Sequence, residues 1–248
     1  MARGSKPPKQ WLSDSVSFID PRVSAVDIEV DTAVICSVEG FYPEMLHCIG
    51  RAGTKTAPRC NGAEKGRVAR DFVIYKASVG SPSQGMLMDT LVASGVRRFI
   101  VLGIAGSLSP KCRIGDIVIP SWGIREEGTS YHYLAADVVP RPSSSLSKHL
   151  RQSLGRTRVL TGGIWTIDAP YRETRDKIKK YSRGGAIAID MECTALMSIA
   201  MVRGVDMAAV LAISDELFGP EWVQGFGSKE LSAARKVICR SMVAYLKR

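Results

Sequence analysis

A chain of 248 residues with 45% hydrophobic and 23% charged side chains can bury a sizeable core, which excludes an intrinsically disordered protein. Its formal net charge of +10 invites a nucleic-acid reading, because Lys and Arg supply most non-specific affinity for phosphate backbones. The basic residues, however, are spread over 51–76, 172–183 and the C-terminal end with acids between them, which argues against nucleic acid as a main partner and suits attraction of small anions such as phosphate.

Residues 1–30 form a polar lead expected to be partly disordered, and 31–248 are expected to fold as one domain. T-A-V-I-C-S-V (32–38) predicts a buried strand, with a helix over Pro43 to Ile49. The Gly-, Lys- and Arg-rich stretch 50–70 reads as a loop or exposed hairpin, and D-F-V-I-Y-K-A-S-V (71–79) as the next strand. Ser81 as cap, Pro82 at the first helical position and Gln84 three residues after the cap make a capping-box signature, and Gly95 closes that helix. R-R-F-I-V-L-G-I-A-G (97–106) is then a strand, giving the βαβ order of a largely parallel sheet.

I-G-D-I-V-I-P (114–120) predicts a strand leading into the irregular G-I-R-E-E-G-T-S-Y-H-Y-L (123–134). A helix near 143–154, a strand near 157–163, a helix near 172–181 and a strand at A-I-A-I (186–189) alternate after it. A helix to Gly204, a buried strand M-A-A-V-L-A-I-S-D (207–215) and a terminal amphipathic helix over 228–247 complete an α/β chain with helices on both faces of a mixed sheet. The six cysteines include no C-x-x-C pair and read as reduced intracellular thiols. With no uncharged apolar run of about 18 residues and no signal-peptide core in M-A-R-G-S-K-P-P-K-Q, the expectation is a cytoplasmic protein that does not engage a membrane. Three histidines cannot assemble a metal cluster alone, and no metal or cofactor is expected.

Ligands of such sheets bind outside the carboxyl ends of the strands, and that rule selects the candidate residues. L-G-I-A-G-S-L (102–108) places Gly103, Ala105 and Gly106 where backbone N–H groups could meet an anion, although glycines at strand ends are more often only turns. The apolar run A-I-A-I-D-M-E-C-T-A-L holds two carboxylates, and burying an ionised carboxylate costs several kcal/mol unless it is paired. Asp190 reads as the cap of the helix that starts at Met191. Glu192, in the first turn, has no such excuse, and a carboxylate there suits two hydrogen bonds from a vicinal diol such as ribose. Asp215 ends its strand as a salt-bridge or capping residue, or as a general acid. Tyr131, Tyr133, Trp165, Tyr171 and Trp222 are aromatics that pack in a core or stack on a base, and His132 is a packing residue or a catalyst.

Five segments, V-L-G-I-A-G-S-L-S-P-K-C-R-I-G-D-I-V-I-P, G-I-R-E-E-G-T-S-Y-H-Y-L, W-T-I-D-A-P-Y-R-E-T, A-I-D-M-E-C-T-A-L and A-I-S-D-E-L, resemble in order and spacing the nucleoside phosphorylase superfamily of purine nucleoside phosphorylases, uridine phosphorylases and methylthioadenosine/S-adenosylhomocysteine nucleosidases. The resemblance implies a three-layer α/β/α domain with a central mixed, partly barrel-like sheet. It implies cleavage of an N-glycosidic bond, with Met191 and Glu192 binding ribose, Ser214 and Asp215 serving the base, Asp215 as catalytic acid, and Tyr171 and Trp165 beside the base. It also implies a homo-oligomer, dimer or hexamer.

The chain departs from that pattern at the phosphate contacts. Val101 and Ile104 stand where uridine and hexameric purine phosphorylases carry an arginine and a hydroxyl residue, and C-S-V-E-G-F-Y (36–42) replaces their phosphate loop. Arg51, Arg59 or Arg125 would then have to bind phosphate. The uridine enzymes' Gln-x-Arg signature meets Thr174 and Asp176, which favours a purine. The expectation is a pentosyltransferase that uses phosphate to release a purine base and pentose 1-phosphate. The alternatives are a hydrolytic nucleosidase, with Glu39 near the water-positioning glutamate, and a nucleoside-binding homologue without turnover.

Overall fold

The computed structural model describes residues 17–38, 40–50 and 53–247. It contains strands β1 (Thr32–Cys36), β2 (Lys55–Thr56), β3 (Ala63–Val68), β4 (Val73–Ala77), β5 (Arg98–Ser107), β6 (Ile117–Glu126), β7 (Val159–Ile167), β8 (Ala186–Asp190), β9 (Asp206–Glu216) and β10 (Val223–Gln224). The helices are α1 (Phe41–Ile49), α2 (Ser81–Ala93), α3 (Ser144–Ser153), α4 (Arg175–Arg183), α5 (Cys193–Arg203) and α6 (Lys229–Leu246). All strands join one sheet in the order β10-β9-β6-β7-β8-β5-β1-β4-β3-β2. Because β5 also pairs with β9, the strands β5, β8, β7, β6 and β9 form a closed ring, and β1 to β4 extend from it as an open wing.

The parallel strands are continuous apolar runs because both faces of the sheet are covered. Alternation along β5 sends Phe99 and Val101 to one layer and Ile100 and Leu102 to the other. The first layer is closed by Leu87, Met88 and Leu91 of α2 with Leu196, Met197 and Ile199 of α5. The second is closed by Met45 of α1, Leu150 of α3 and Ile238 and Met242 of α6. A smaller cluster around Trp165, Ile167 and Ile189 packs against Ile178 and Tyr181 of α4. The result is the expected three-layer arrangement with a mixed, partly closed sheet.

Three local expectations fail, the first two because tertiary partners outcompete local ones. The residue capping α2 is Gly80, whose φ is +102°, and there is no capping box. The Ser81 hydroxyl donates to the Met191 carbonyl at 2.7 Å, while Gln84 is buried and donates to the Ser78 carbonyl and accepts from the Ser37 hydroxyl. Similarly α5 begins at Cys193, two residues later than expected, with Glu192 in the cap position but making no side-chain bond to its own helix. The segment 123–126, expected to be irregular, continues β6. The stretch 50–70 supplies the hairpin strand β3, antiparallel to β4.

All six cysteines are free, and no helix among the described residues is long and apolar enough to cross a membrane. Ile100 is fully buried in the strand shared by the ring and the wing, so Ile100→Ala should cost about 2–5 kcal/mol. Chemical denaturation should show this as a lowered midpoint with an unchanged slope.

Candidate active site

The carboxyl ends of β5, β8 and β9 meet where the ring closes. Along the β5–β9 ladder, Ala105 faces Ile213 and Gly106 faces Asp215, so Ser214 is the extra residue of a bulge. Bulges re-aim side chains, and here the bulge accompanies an Asp215 side chain that lines a cavity of about 520 Å³. Its Oδ1 accepts from the Ser214 hydroxyl at 2.6 Å and its Oδ2 from the Trp222 indole N–H at 2.8 Å. The neighbouring acid, Glu216, serves a structural end instead, pairing with Arg113 at 2.8 Å and accepting from the Ile114 amide.

At the end of β8, Asp190 does act as a cap, its Oδ2 accepting from the Cys193 amide at 2.8 Å and its Oδ1 from the Thr166 hydroxyl at 2.6 Å. Behind it the buried Glu127 accepts from the Ser130 amide and the Thr194 hydroxyl. Glu192 reaches away from its own helix to accept from the Gly80 amide at 2.7 Å, at the N-terminus of α2, where the helix dipole favours negative charge. Burial raises the Glu192 carboxyl above the ordinary glutamate range, and the nearby Asp190 carboxylate raises it further. Met191, between the two acids, lines the same cavity.

The cavity thus brings together Met191, Glu192, Ser214, Asp215 and Tyr171, along with Ala105 and Gly106. Several sequence-selected residues lie elsewhere. Trp165 is fully buried in the small cluster under α4, with its ring 4.6 Å from that of Tyr181, so it has no surface for a base. Gly103 packs against Leu211 and Ser37 inside the sheet. Arg125 spends its guanidinium on the Ser130 hydroxyl and the Leu134, Ala135 and Val138 carbonyls, stacked 4.0 Å over Tyr131, which leaves no face for phosphate. His132 and Tyr133 line a separate depression beside α2, Arg59 does not line the cavity, and Glu39 and Arg51 lie outside the described residues.

Sequence reasoning missed Glu173. It follows the short 3-10 turn Pro170–Arg172 after β7 and lines the cavity. Burial pushes its carboxyl up to about 7, with the Asp215 carboxylate adding to the effect. Trp222 was legible only as one aromatic among several, although its indole N–H is the group that holds Asp215. Val38, Val79 and Ile104 supply apolar lining, and Arg175 is the one cation among the described lining residues.

The chain belongs to the phosphorylase superfamily, whose profile matches residues 31–244. A DeoD-type purine nucleoside phosphorylase of Bacillus cereus is 29% identical over 153 residues, 60% of this chain and 65% of the relative, so the match spans less than two thirds of that protein. Among solved structures, the purine nucleoside phosphorylase of Toxoplasma gondii in complex with immucillin-H superposes with a TM-score of 0.78 at 15% identity, covering 91% of this chain and 92% of that one. The AMP nucleosidase of Bacteroides thetaiotaomicron superposes with a TM-score of 0.65 at 24% identity, covering 87% and 89%. At these identities the structural likenesses are likenesses of fold.

A carboxyl raised on folding binds its proton more tightly in the native state, so it stabilises the fold at low pH. That contribution disappears as pH climbs from the unfolded value, 4.5 for glutamate, through the raised native one. Glu192→Gln keeps an acceptor for the Gly80 amide without the titration. The stability of the variant relative to wild type should therefore rise as pH is taken from 5 to about 9, checked by thermal melts of both proteins in parallel.

Proposed function

We infer that the chain cleaves the N-glycosidic bond of a purine nucleoside, with inorganic phosphate as acceptor, to give free base and pentose 1-phosphate. The observation that supports this reading is the convergence of Glu192 and Asp215, from two different strand ends, on one largely apolar cavity. Once ionised, the Glu192 carboxyl suits a vicinal diol, whose two donated hydrogen bonds favour the charged form. As the bond breaks, positive charge grows on the sugar and negative charge on the base. Anionic groups near the ribose and donors near the base therefore bind the transition state better than the nucleoside.

A second reading, with water as acceptor, is favoured by the lining itself. Glu173, Asp190, Glu192, Asp215 and Glu221 face the cavity against Arg175 alone among the described residues, with Val38, Val79 and Ile104 between them. An acidic surround repels a phosphate dianion in a site of reduced dielectric. Water has no such penalty.

Inosine, adenosine, guanosine and uridine, each supplied with and without phosphate, separate these readings. Phosphate-dependent release of purine is the expected result, and equal rates without phosphate would assign the reaction to hydrolysis. Glu192→Gln should lower kcat/KM by roughly tenfold to a hundredfold, the equivalent of one or two charge-assisted hydrogen bonds, as steady-state kinetics on the preferred nucleoside will show.

A further inference from the structure

A departing purine leaves with the electron pair of the bond to C1′ and must gain a proton, and the cavity holds two carboxyl groups beside each other that could supply it. They are not equivalent. Both oxygens of Asp215 already face donors, Oδ1 the Ser214 hydroxyl and Oδ2 the Trp222 indole. Indole nitrogen can only donate, so Oδ2 cannot carry a hydrogen there, and any hydrogen at Oδ1 is held in the 2.6 Å contact with the Ser214 hydroxyl, which also reaches the Ala105 carbonyl at 3.3 Å, and is not aimed at a base. Asp215 is arranged as an acceptor, fit to take a hydrogen bond from a base.

Glu173 has the opposite surroundings. It is half-buried, lines the same cavity, and among the described residues its carboxyl makes no hydrogen bond or ion pair. We propose that Glu173 is the proton donor to the departing purine, while Asp215 anchors the base. The inference rests on the N-glycosidic cleavage proposed above, but not on the choice of acceptor.

In the step, the bond from C1′ to the base breaks with its electron pair going to the base. The Glu173 O–H bond then breaks as an N–H bond forms on the base, and an acceptor oxygen bonds to C1′. The proton shed by that acceptor, phosphate or water, returns Glu173 to its acid form, so atoms and charge balance over the cycle. The charged groups that line the cavity with Glu173 are Asp215 from β9, Asp190 and Glu192 from the end of β8, and Glu221 and Arg175. Of these, Asp215 is the carboxylate that favours retention of the Glu173 proton. Burial and Asp215 hold that carboxyl at about 7, so a substantial fraction is acid at neutral pH.

The test compares wild type with Glu173→Gln on the purine nucleoside that wild type turns over best and on 7-methylguanosine, whose base is already cationic and leaves without a proton. Glu173→Gln should lower kcat on the ordinary nucleoside by about a hundredfold or more, within the range of general acid catalysis. KM should stay within about threefold and turnover of 7-methylguanosine should be preserved. Wild-type kcat/KM on the ordinary nucleoside should fall above about pH 7, and the variant should lack that limb.

Equal losses on both nucleosides, or an unchanged alkaline limb, would overturn the assignment. So would a leaving-group-selective loss in Asp215→Asn but not in Glu173→Gln. Should wild type reject the methylated nucleoside, the pH limb decides alone. If wild type releases no base from any nucleoside, with or without phosphate, the cleavage reading fails and this role fails with it. A wild type that turns over beside an unimpaired Glu173→Gln removes only the role of Glu173.

Discussion

At Gly106 three strands meet. β5 pairs there with Ile189 of β8 on one side and with Asp215 of β9 on the other, and a Cβ would come within 2.5 Å of Leu217 and 3.2 Å of the Asp215 carboxylate. A side chain there would press on Leu217, Ile189 and Asp215 together, so the crowding where the ring closes favours glycine. Closure brings the end of β8, carrying Asp190 and Glu192, and the bulged end of β9, carrying Ser214 and Asp215, to the same rim. The last turn of the site is added from a third direction, by the Gly80 amide at the start of α2.

That geometry concentrates carboxyl groups where water is scarce, and each is handled differently. Asp190 is consumed by its cap and by Thr166, Glu216 by Arg113, and Asp215 by Ser214 and Trp222. Glu192 is met by backbone amides alone, and the Glu173 carboxyl is left without a partner among the described residues. Incomplete satisfaction of buried acids is costly in a purely structural setting, and the two that remain open both face the cavity. A nucleoside would supply what they lack, hydroxyl donors at one and a basic nitrogen at the other.

Much of this was legible in the residues. Apolar runs such as 97–106 and 207–215 announced buried parallel strands, and the alternation of strands and helices announced the layers. The pair Asp190 and Glu192 was conspicuous because an apolar run rarely tolerates two acids. Local rules failed where long-range contacts compete with them, as at Ser81, which serves Met191 instead of capping α2. Nothing near Arg125 in the chain reveals that three backbone carbonyls fold round its guanidinium. Glu173, in a polar stretch between Tyr171 and Arg175, looks like any surface glutamate until the closing of the sheet sets it beside Asp215. Trp165 and Trp222 were indistinguishable as aromatics, yet one is sealed in the core and the other stands at the mouth of the cavity.

The central claim, that Glu192 is open because ribose hydroxyls complete it, is tested most directly by equilibrium binding of inosine and of 2′,3′-dideoxyinosine to wild type and to Glu192→Gln. Wild type should bind inosine roughly tenfold to a hundredfold more tightly than the dideoxy compound, as charge-assisted hydrogen bonds predict, and most of that difference should vanish in the variant. Equal affinity of wild type for the two nucleosides would contradict the account.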